Sequence, residues 1–188
     1  MDLGDLKKPP FEKLNPNGRV PVIVDPNTGI TLWESAAIIE YLEDTYDKDN
    51  KLTYTTFPEK YYVKQYLYFQ MSGQGPYFGQ AAWFLHFHPE KVPSAIDRYK
   101  DQVLRVVYVL NLALEGKQYL VGDKCTVADL AFVTWDTSIP WIFGDDFKTL
   151  DIEKKYPNYA AWRERLLARP AVKKTLGEKM RLMAAQHH

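Results

Sequence analysis

A single cysteine, Cys125, stands in 188 residues, which excludes an internal disulfide framework and any metal centre built from several thiolates. No stretch approaches the roughly 20 consecutive apolar residues of a membrane-spanning helix. The opening MDLGDLKKPP lacks the apolar core of a secretory signal. Neither sign of charge is in excess, with 24 Lys plus Arg against 24 Asp plus Glu. That balance argues against nucleic acid or an anionic membrane as partner, since both select a basic field. Histidine is scarce as well. His86 and His88 flank Phe87, but no third ligand clusters with them, so no metal site is expected. Internal repeats and low-complexity tracts are absent. These absences lead to the expectation of a cytoplasmic protein. The final Gln186-His187-His188 reads as a possible tag remnant and carries no weight.

What is present is globular in balance: 46% hydrophobic and 26% charged residues. The length suits one domain or two small subdomains and hides roughly 70% of the unfolded surface. Aromatic residues reach 14%, with 13 Tyr and 5 Trp. Rings in such number either fill a core or line a pocket for flat, apolar molecules, and composition does not choose between the two.

Along the chain, residues 1–46 read as a small α/β subdomain, 47–57 as a polar linker, and 58–188 as all helical. Val20-Pro21-Val22-Ile23-Val24 is a short apolar run closed by the turn formers Asp25-Pro26-Asn27-Thr28-Gly29. With Ile30-Thr31-Leu32-Trp33 it forms a predicted β-hairpin. Ser35 is the expected N-cap of a helix whose apolar positions Ile38, Ile39, Leu42 and Tyr46 recur at helical spacing. Pro58 suits a first helical position, and Gln74-Gly75-Pro76 predicts a kink or break. Further helices are expected over 77–87, 93–115 and 157–168. The 93–115 segment carries a stripe of Ile96, Tyr99, Val103, Val106, Leu110 and Leu114. Thr126-Val127-Ala128-Asp129 has the form of a capping box, with Cys125 and Leu130 at the staple positions beside it. A strand apolar on both faces lies inside a larger sheet, yet only one partner strand is legible, so the hairpin reads as the latter part of a larger α/β unit.

Five motifs in order carry a family resemblance. Asn15-Pro16-Asn17-Gly18-Arg19-Val20-Pro21 and Trp33-Glu34-Ser35-Ala36-Ala37-Ile38 resemble the second half of the thioredoxin-like domain of glutathione transferases. Phe69-Gln70-Met71-Ser72-Gly73-Gln74, then Val121-Gly122-Asp123-Lys124 with the capping box, then Arg169-Pro170-Ala171-Val172, resemble their helical domain. Order and spacing agree from about Lys7 to Lys174. The chain is similar in particular to the fungal class that includes the transferase domain of the yeast nitrogen-regulatory prion protein. The resemblance implies an α+β fold, mostly α: an incomplete thioredoxin-like subdomain followed by an all-helical domain. The chain is expected to start at or after the family's second strand, so the residue that contacts the glutathione sulfur goes unassigned. Leu6 stands where relatives often place a His for the glycine end of the tripeptide, and Lys7 or Lys8 is its candidate substitute.

Candidate site residues follow from chemistry and resemblance together. Ser35, at a helix start, offers a hydroxyl and backbone amides to a carboxylate, and Glu34 can pair with an ammonium. By spacing alone, Ser35 is as well explained as a cap and Glu34 as an acid at the positive helix end. The resemblance implies that both hold the γ-glutamyl end of glutathione. It also implies a cis Val20-Pro21 bond that turns the Val20 main chain toward the cysteinyl backbone, with Arg19 assisting a carboxylate or remaining solvated. The ring-rich set Tyr77, Phe78, Trp83, Phe84, Trp135 and Trp141 most simply fills core. By resemblance, Tyr77, Trp83, His86 and Trp135 wall a pocket for a hydrophobic electrophile. His86 and His88 otherwise read as helix-end residues, and Cys125 as a packed, unreactive thiol.

The implied function uses glutathione as co-substrate and adds its thiolate to an electrophilic small molecule. The outcome is either conjugation or cis–trans isomerisation, in fungal secondary metabolism or detoxification. A non-catalytic glutathione-binding module and a glutathione-independent pocket enzyme remain the alternatives. Relatives pair through helices equivalent to residues 41–44 and 61–74, so a homodimer is expected.

Overall fold

The computed structural model describes residues 3–185, which divide into two compact units, one running to Thr55 and the other starting at Thr56. The first unit opens with a 3₁₀ turn, Leu3–Lys7, and a single helical turn, α1 (Pro9–Glu12). An irregular loop then leads into β1 (Val22–Asp25), which pairs antiparallel with β2 (Ile30–Trp33). Gly29 closes the connecting turn at φ +75°, a conformation that glycine adopts without a Cβ penalty. Helix α2 (Ser35–Tyr46) follows directly from β2. Among the described side chains of this unit, Leu6, Phe11 and Ile38 are the buried apolar ones.

The strand begins two residues later than the apolar run suggests. Pro21 lacks an N–H for the ladder, and the loop before it is tied elsewhere, so pairing starts at Val22. Nor is β1 covered on both faces: Val22 and Ile23 are half-buried and Val24 is exposed. Its far end is pinned to α2 through buried Asp25. The Asp25 carboxylate accepts the Tyr41 hydroxyl at 2.6 Å, the Tyr46 hydroxyl, and the Asn27 N–H at 2.9 Å. These donors, Tyr41 foremost, hold the Asp25 carboxyl below its ordinary range, and the hydrogen bond to Asp25 in turn pushes the Tyr46 phenol up.

The second unit is helical among its described residues. Helix α3 (Glu59–Phe69) passes through a π turn, Gln70–Gln74, into α4 (Gly75–Ala82), and a second π turn, Trp83–Phe87, ends the run. The expected break at Gln74-Gly75-Pro76 is therefore a widened turn and not an interruption. Pro76 has no N–H to give to the preceding turn, and a π bulge absorbs the loss without ending the helix. Buried Gln70 and Gln74 complete it: Gln70 Nε2 donates to Gln74 Oε1 at 2.9 Å, and Gln74 Nε2 to the Phe132 carbonyl at 3.2 Å. Pro58 takes the N-cap and not the first helical position, so α3 starts at Glu59.

Helix α5 (Pro93–Ala113) places Val103, Val106 and Leu110 in the core, with Leu114 just beyond it. α6 (Val127–Asp136) is introduced by the reciprocal capping box of Thr126 and Asp129. Asp129 is fully buried and serves four donors. Its carboxylate accepts the Thr126 N–H at 2.8 Å and hydroxyl at 3.0 Å, the Leu120 N–H at 2.9 Å, and Trp162 Nε1–H at 2.8 Å. Short helices α7 (Ile139–Phe143) and α8 (Ile152–Lys155) precede α9 (Pro157–Ala168). Asn111 of α5 accepts the first-turn amides of Asn158 and Tyr159 at 3.0 and 3.2 Å, capping α9 from outside. A final helix, α10 (Pro170–Ala185), lies beyond the last one legible in the sequence; Val172 is its buried residue, so it lacks a strong apolar stripe.

Candidate functional site

Buried Asn15 organises the loop that leads to β1. Its Nδ2 donates to the Arg19 carbonyl at 2.6 Å and its Oδ1 accepts the Asn17 N–H at 2.9 Å. Gly18 sits at φ +60° beneath the Lys7 side chain, where an added Cβ would come within 2.8 Å of Lys7 Cδ. Lys7 Nζ donates to the Asn17 carbonyl at 2.9 Å, whereas Lys8 is paired with Asp5 at 2.7 Å. The loop is thus fixed from within and from above. It delivers Arg19, Val20 and Pro21 to the surface, all exposed, with a cis Val20-Pro21 bond.

The β-ladder decides what faces them. Val22 is paired with Trp33. Pro21 immediately precedes the first of these and Glu34 immediately follows the second, so Val20-Pro21 and Glu34-Ser35 emerge at the same end of the hairpin. Glu34 occupies the N-cap position at φ 74°, ψ 115°, and Ser35 is the first helical residue; the expected Ser35 cap is displaced by one. Glu34 is the single residue between β2 and α2, and it alone takes up the change of direction. A non-glycine residue held at positive φ costs about 1–3 kcal/mol, and such strain concentrates where ligands are clamped. Glu34 is exposed and Ser35 half-buried. The corner therefore joins a carboxylate, a hydroxyl, the positive end of a three-turn helix and an exposed stretch of main chain. It can hold a zwitterionic amino-acid group followed by a peptide.

The ring-rich residues belong to the second unit and fall into separate groups. His86 stacks on Trp141 with centroids 4.3 Å apart, and Phe87 joins Trp83 at 6.3 Å and Trp141 at 6.1 Å. Trp83 is 48% and Trp141 50% exposed, so neither is the core residue that the sequence most simply suggests. Both stand at the end of a helical run, beyond the surface that other helices cover. Phe78 is buried, and Phe84 stacks on Tyr99 at 5.6 Å. Trp135 is edge-on to Phe78 at 6.3 Å and lies over the glycines of α4. Tyr77 is half-buried on α4. His88 turns the chain after the second π turn, its Nδ1 within 2.7 Å of the Glu90 carbonyl. Phe87 is the ring that sequence reasoning passed over; its place between two histidines next to Trp83 was the available signal.

Cys125 is buried and its thiol is pushed up to about 11, by burial first and by the Asp129 charge second, so it stays protonated and unreactive. Among the described residues no three His, Cys, Asp or Glu side chains converge to hold a metal, and no helix is long and apolar enough to cross a membrane.

Two family models match the chain: the glutathione S-transferase N-terminal domain over residues 1–45 and the C-terminal domain over residues 76–170. Glutathione S-transferase 2 of Schizosaccharomyces pombe is 48% identical over 184 residues, an alignment that takes in 93% of this chain and 80% of that protein. Among solved structures, the glutathione transferase URE2P8 of Phanerochaete chrysosporium, crystallised with oxidised glutathione, is 42% identical with a TM-score of 0.89. That match covers 96% of this chain and 80% of the other. Ure2p5 of the same organism, cocrystallised with 1-(S-glutathionyl)-2,4-dinitrobenzene, is 41% identical with a TM-score of 0.87, covering 93% and 81%.

Proposed function

The chain belongs to the glutathione S-transferase family, in its Ure2-like fungal class, and from that premise we propose that it binds glutathione at the end of the hairpin and adds the thiolate to a hydrophobic electrophile. One observation carries the reading: the Val22–Trp33 pairing sets Val20-Pro21 and Glu34-Ser35 side by side. In the bound tripeptide the γ-glutamyl carboxylate meets the Ser35 hydroxyl and the positive end of α2, while the ammonium pairs with Glu34. The cysteinyl peptide runs along the Val20 main chain. Lys7, fixed over the same loop, suits the glycine carboxylate better than Lys8, which is already paired with Asp5.

A free thiol ionises near pH 8.5, so hydrogen bonds to the charged sulfur raise the reactive fraction at neutral pH. The thiolate then forms a carbon–sulfur bond to the electrophile. In conjugation a leaving group departs with its electron pair, or a proton from water completes addition across a double bond. In isomerisation the adduct rotates about the former double bond and the thiolate is expelled unchanged. Tyr77, Trp83, His86 and Trp135 are the proposed walls for the electrophile, and detoxification or secondary metabolism is the proposed setting.

Calorimetric titration with glutathione tests the binding half. Saturable binding that Glu34→Ala and Ser35→Ala each weaken at least tenfold supports the site. Affinity unchanged in both variants removes it.

A further inference from the structure

Buried Asp25 sits at the opposite end of the hairpin from the Glu34–Ser35 corner, and its carboxylate is given over to holding α2. Its Oδ2 accepts the Tyr41 hydroxyl at 2.6 Å and the Tyr46 hydroxyl as well, while its Oδ1 accepts the Asn27 N–H at 2.9 Å. Both tyrosines belong to α2, their rings edge-on with centroids 6.3 Å apart. The turn after β1 buttresses them. Thr28 Oγ1 lies 2.6 Å from the Tyr41 hydroxyl, and Asn27 Nδ2 donates to the Tyr46 hydroxyl at 3.2 Å. The Gly29 N–H closes that turn on the Asp25 carbonyl at 2.8 Å. The donors to the carboxyl, Tyr41 foremost, keep it below its ordinary range, so at neutral pH it is an ionised acceptor.

β1, β2 and α2 thus form three sides of a closed frame. The ladder joins β1 to β2, Glu34 joins β2 to α2, and Asp25 joins the two tyrosines back to β1. Asp25 lies three ladder steps from Val22, about 10 Å along the strand, too far to touch an amino-acid group held at the corner. Tyr41 and Tyr46 lie about 9 Å and 16 Å along the helix from Ser35. A tie so far from the junction is a strong check on rotation. Apolar packing supplies little of that check, because Ile38 is the one buried side chain of α2. Glu34 sits at φ 74°, and a non-glycine residue keeps such a conformation only where its surroundings over-determine it. The ladder fixes one side of Glu34 and the Asp25 tie fixes the other.

We propose that Asp25 is a positioning residue for Glu34: by anchoring Tyr41 and Tyr46 it holds α2 at the angle that keeps Glu34 at positive φ, where its carboxylate meets an incoming ammonium. The proposal rests on the glutathione reading above and deepens it. Loss of the tie lets α2 turn about its junction with β2 and lets Glu34 relax toward negative φ. The carboxylate then leaves its place at the corner, and glutathione affinity falls although no group that touches the tripeptide has been changed.

Calorimetric titration with glutathione tests this in wild type, Asp25→Asn, the paired variant Tyr41→Phe with Tyr46→Phe, and Thr126→Ala, at a temperature where each is folded. Asparagine keeps the shape of Asp25 but sets an amide N–H where Oδ2 accepts both hydroxyls. The tyrosine pair removes the same two bonds without touching β1, so the test does not depend on Asp25→Asn folding. Thr126→Ala loosens the capping box of α6 and controls for a general loss of stability. A double-mutant cycle of each tie variant with Glu34→Ala then asks whether the tie acts through Glu34. Affinity weakened about fivefold or more by loss of the tie, with Thr126→Ala unchanged, supports the proposal when that loss shrinks to about twofold or less on the Glu34→Ala background. Unchanged affinity in the tyrosine pair, or a loss that is undiminished without the Glu34 carboxylate, overturns it and leaves the glutathione reading standing. A wild type that does not bind glutathione overturns both.

Discussion

Glu34 illustrates how one residue serves geometry and chemistry at once. Its positive φ is the means by which β2 turns directly into α2, and it sets a carboxylate at the mouth of the proposed site. Function and stability are therefore opposed at this position. Glu34→Gly relieves the backbone strain and raises unfolding stability by about 1 kcal/mol, while glutathione affinity falls because the ammonium loses its partner. Urea denaturation and calorimetry on the same preparation check the two halves. Asp129 shows the opposite economy, a buried carboxylate wholly given to structure. Asp129→Ala strands the Leu120 and Thr126 amides and the Trp162 indole. We expect it to cost roughly 2–4 kcal/mol of stability, read as a lower urea midpoint at pH 7. An unchanged midpoint would mean that the four bonds are dispensable.

Among the elements, those with one strongly apolar face were legible in the sequence. The hairpin was marked by its turn residues, α5 by its stripe, and α6 by the capping box. Elements stabilised by something other than their own side-chain pattern were harder to read. α10 carries little buried surface, α7 and α8 are about one turn long, and the π turns around α4 depend on a glutamine pair and a proline that propensity alone reads as a break. The candidate site divides in the same way. Val20, Pro21, Glu34 and Ser35 were singled out through the family resemblance, since spacing alone explains Ser35 as a cap and Glu34 as an acid at the helix start, and their adjacency became visible only through strand register. The role of Asn15 as anchor of the loop, and the exposure of Trp83 and Trp141, depend on tertiary placement that spacing does not encode.

At the scale of the whole molecule, stability carries a pH signature through Asp136. Burial raises its carboxyl to about 6, partly offset by the charge and hydrogen bond of Arg163, against about 3.9 in an unfolded chain. A carboxyl raised on folding favours the folded state below its unfolded value, and that contribution disappears as pH rises through the folded value. This group alone thus makes the protein less stable between about pH 4 and pH 6, by on the order of 3 kcal/mol. Asp136→Asn should flatten that part of the stability–pH curve. A variant curve parallel to the wild type from pH 4 to 7 would assign the effect to other groups.

The central claim is that the corner between β2 and α2 receives the amino-acid end of glutathione, and a crystal structure of the protein grown with glutathione tests it most directly. The expected density places the γ-glutamyl carboxylate within hydrogen-bond distance of Ser35 and the ammonium beside Glu34, with the cysteinyl peptide along Val20. A tripeptide bound elsewhere, touching neither Glu34 nor Ser35, would contradict it.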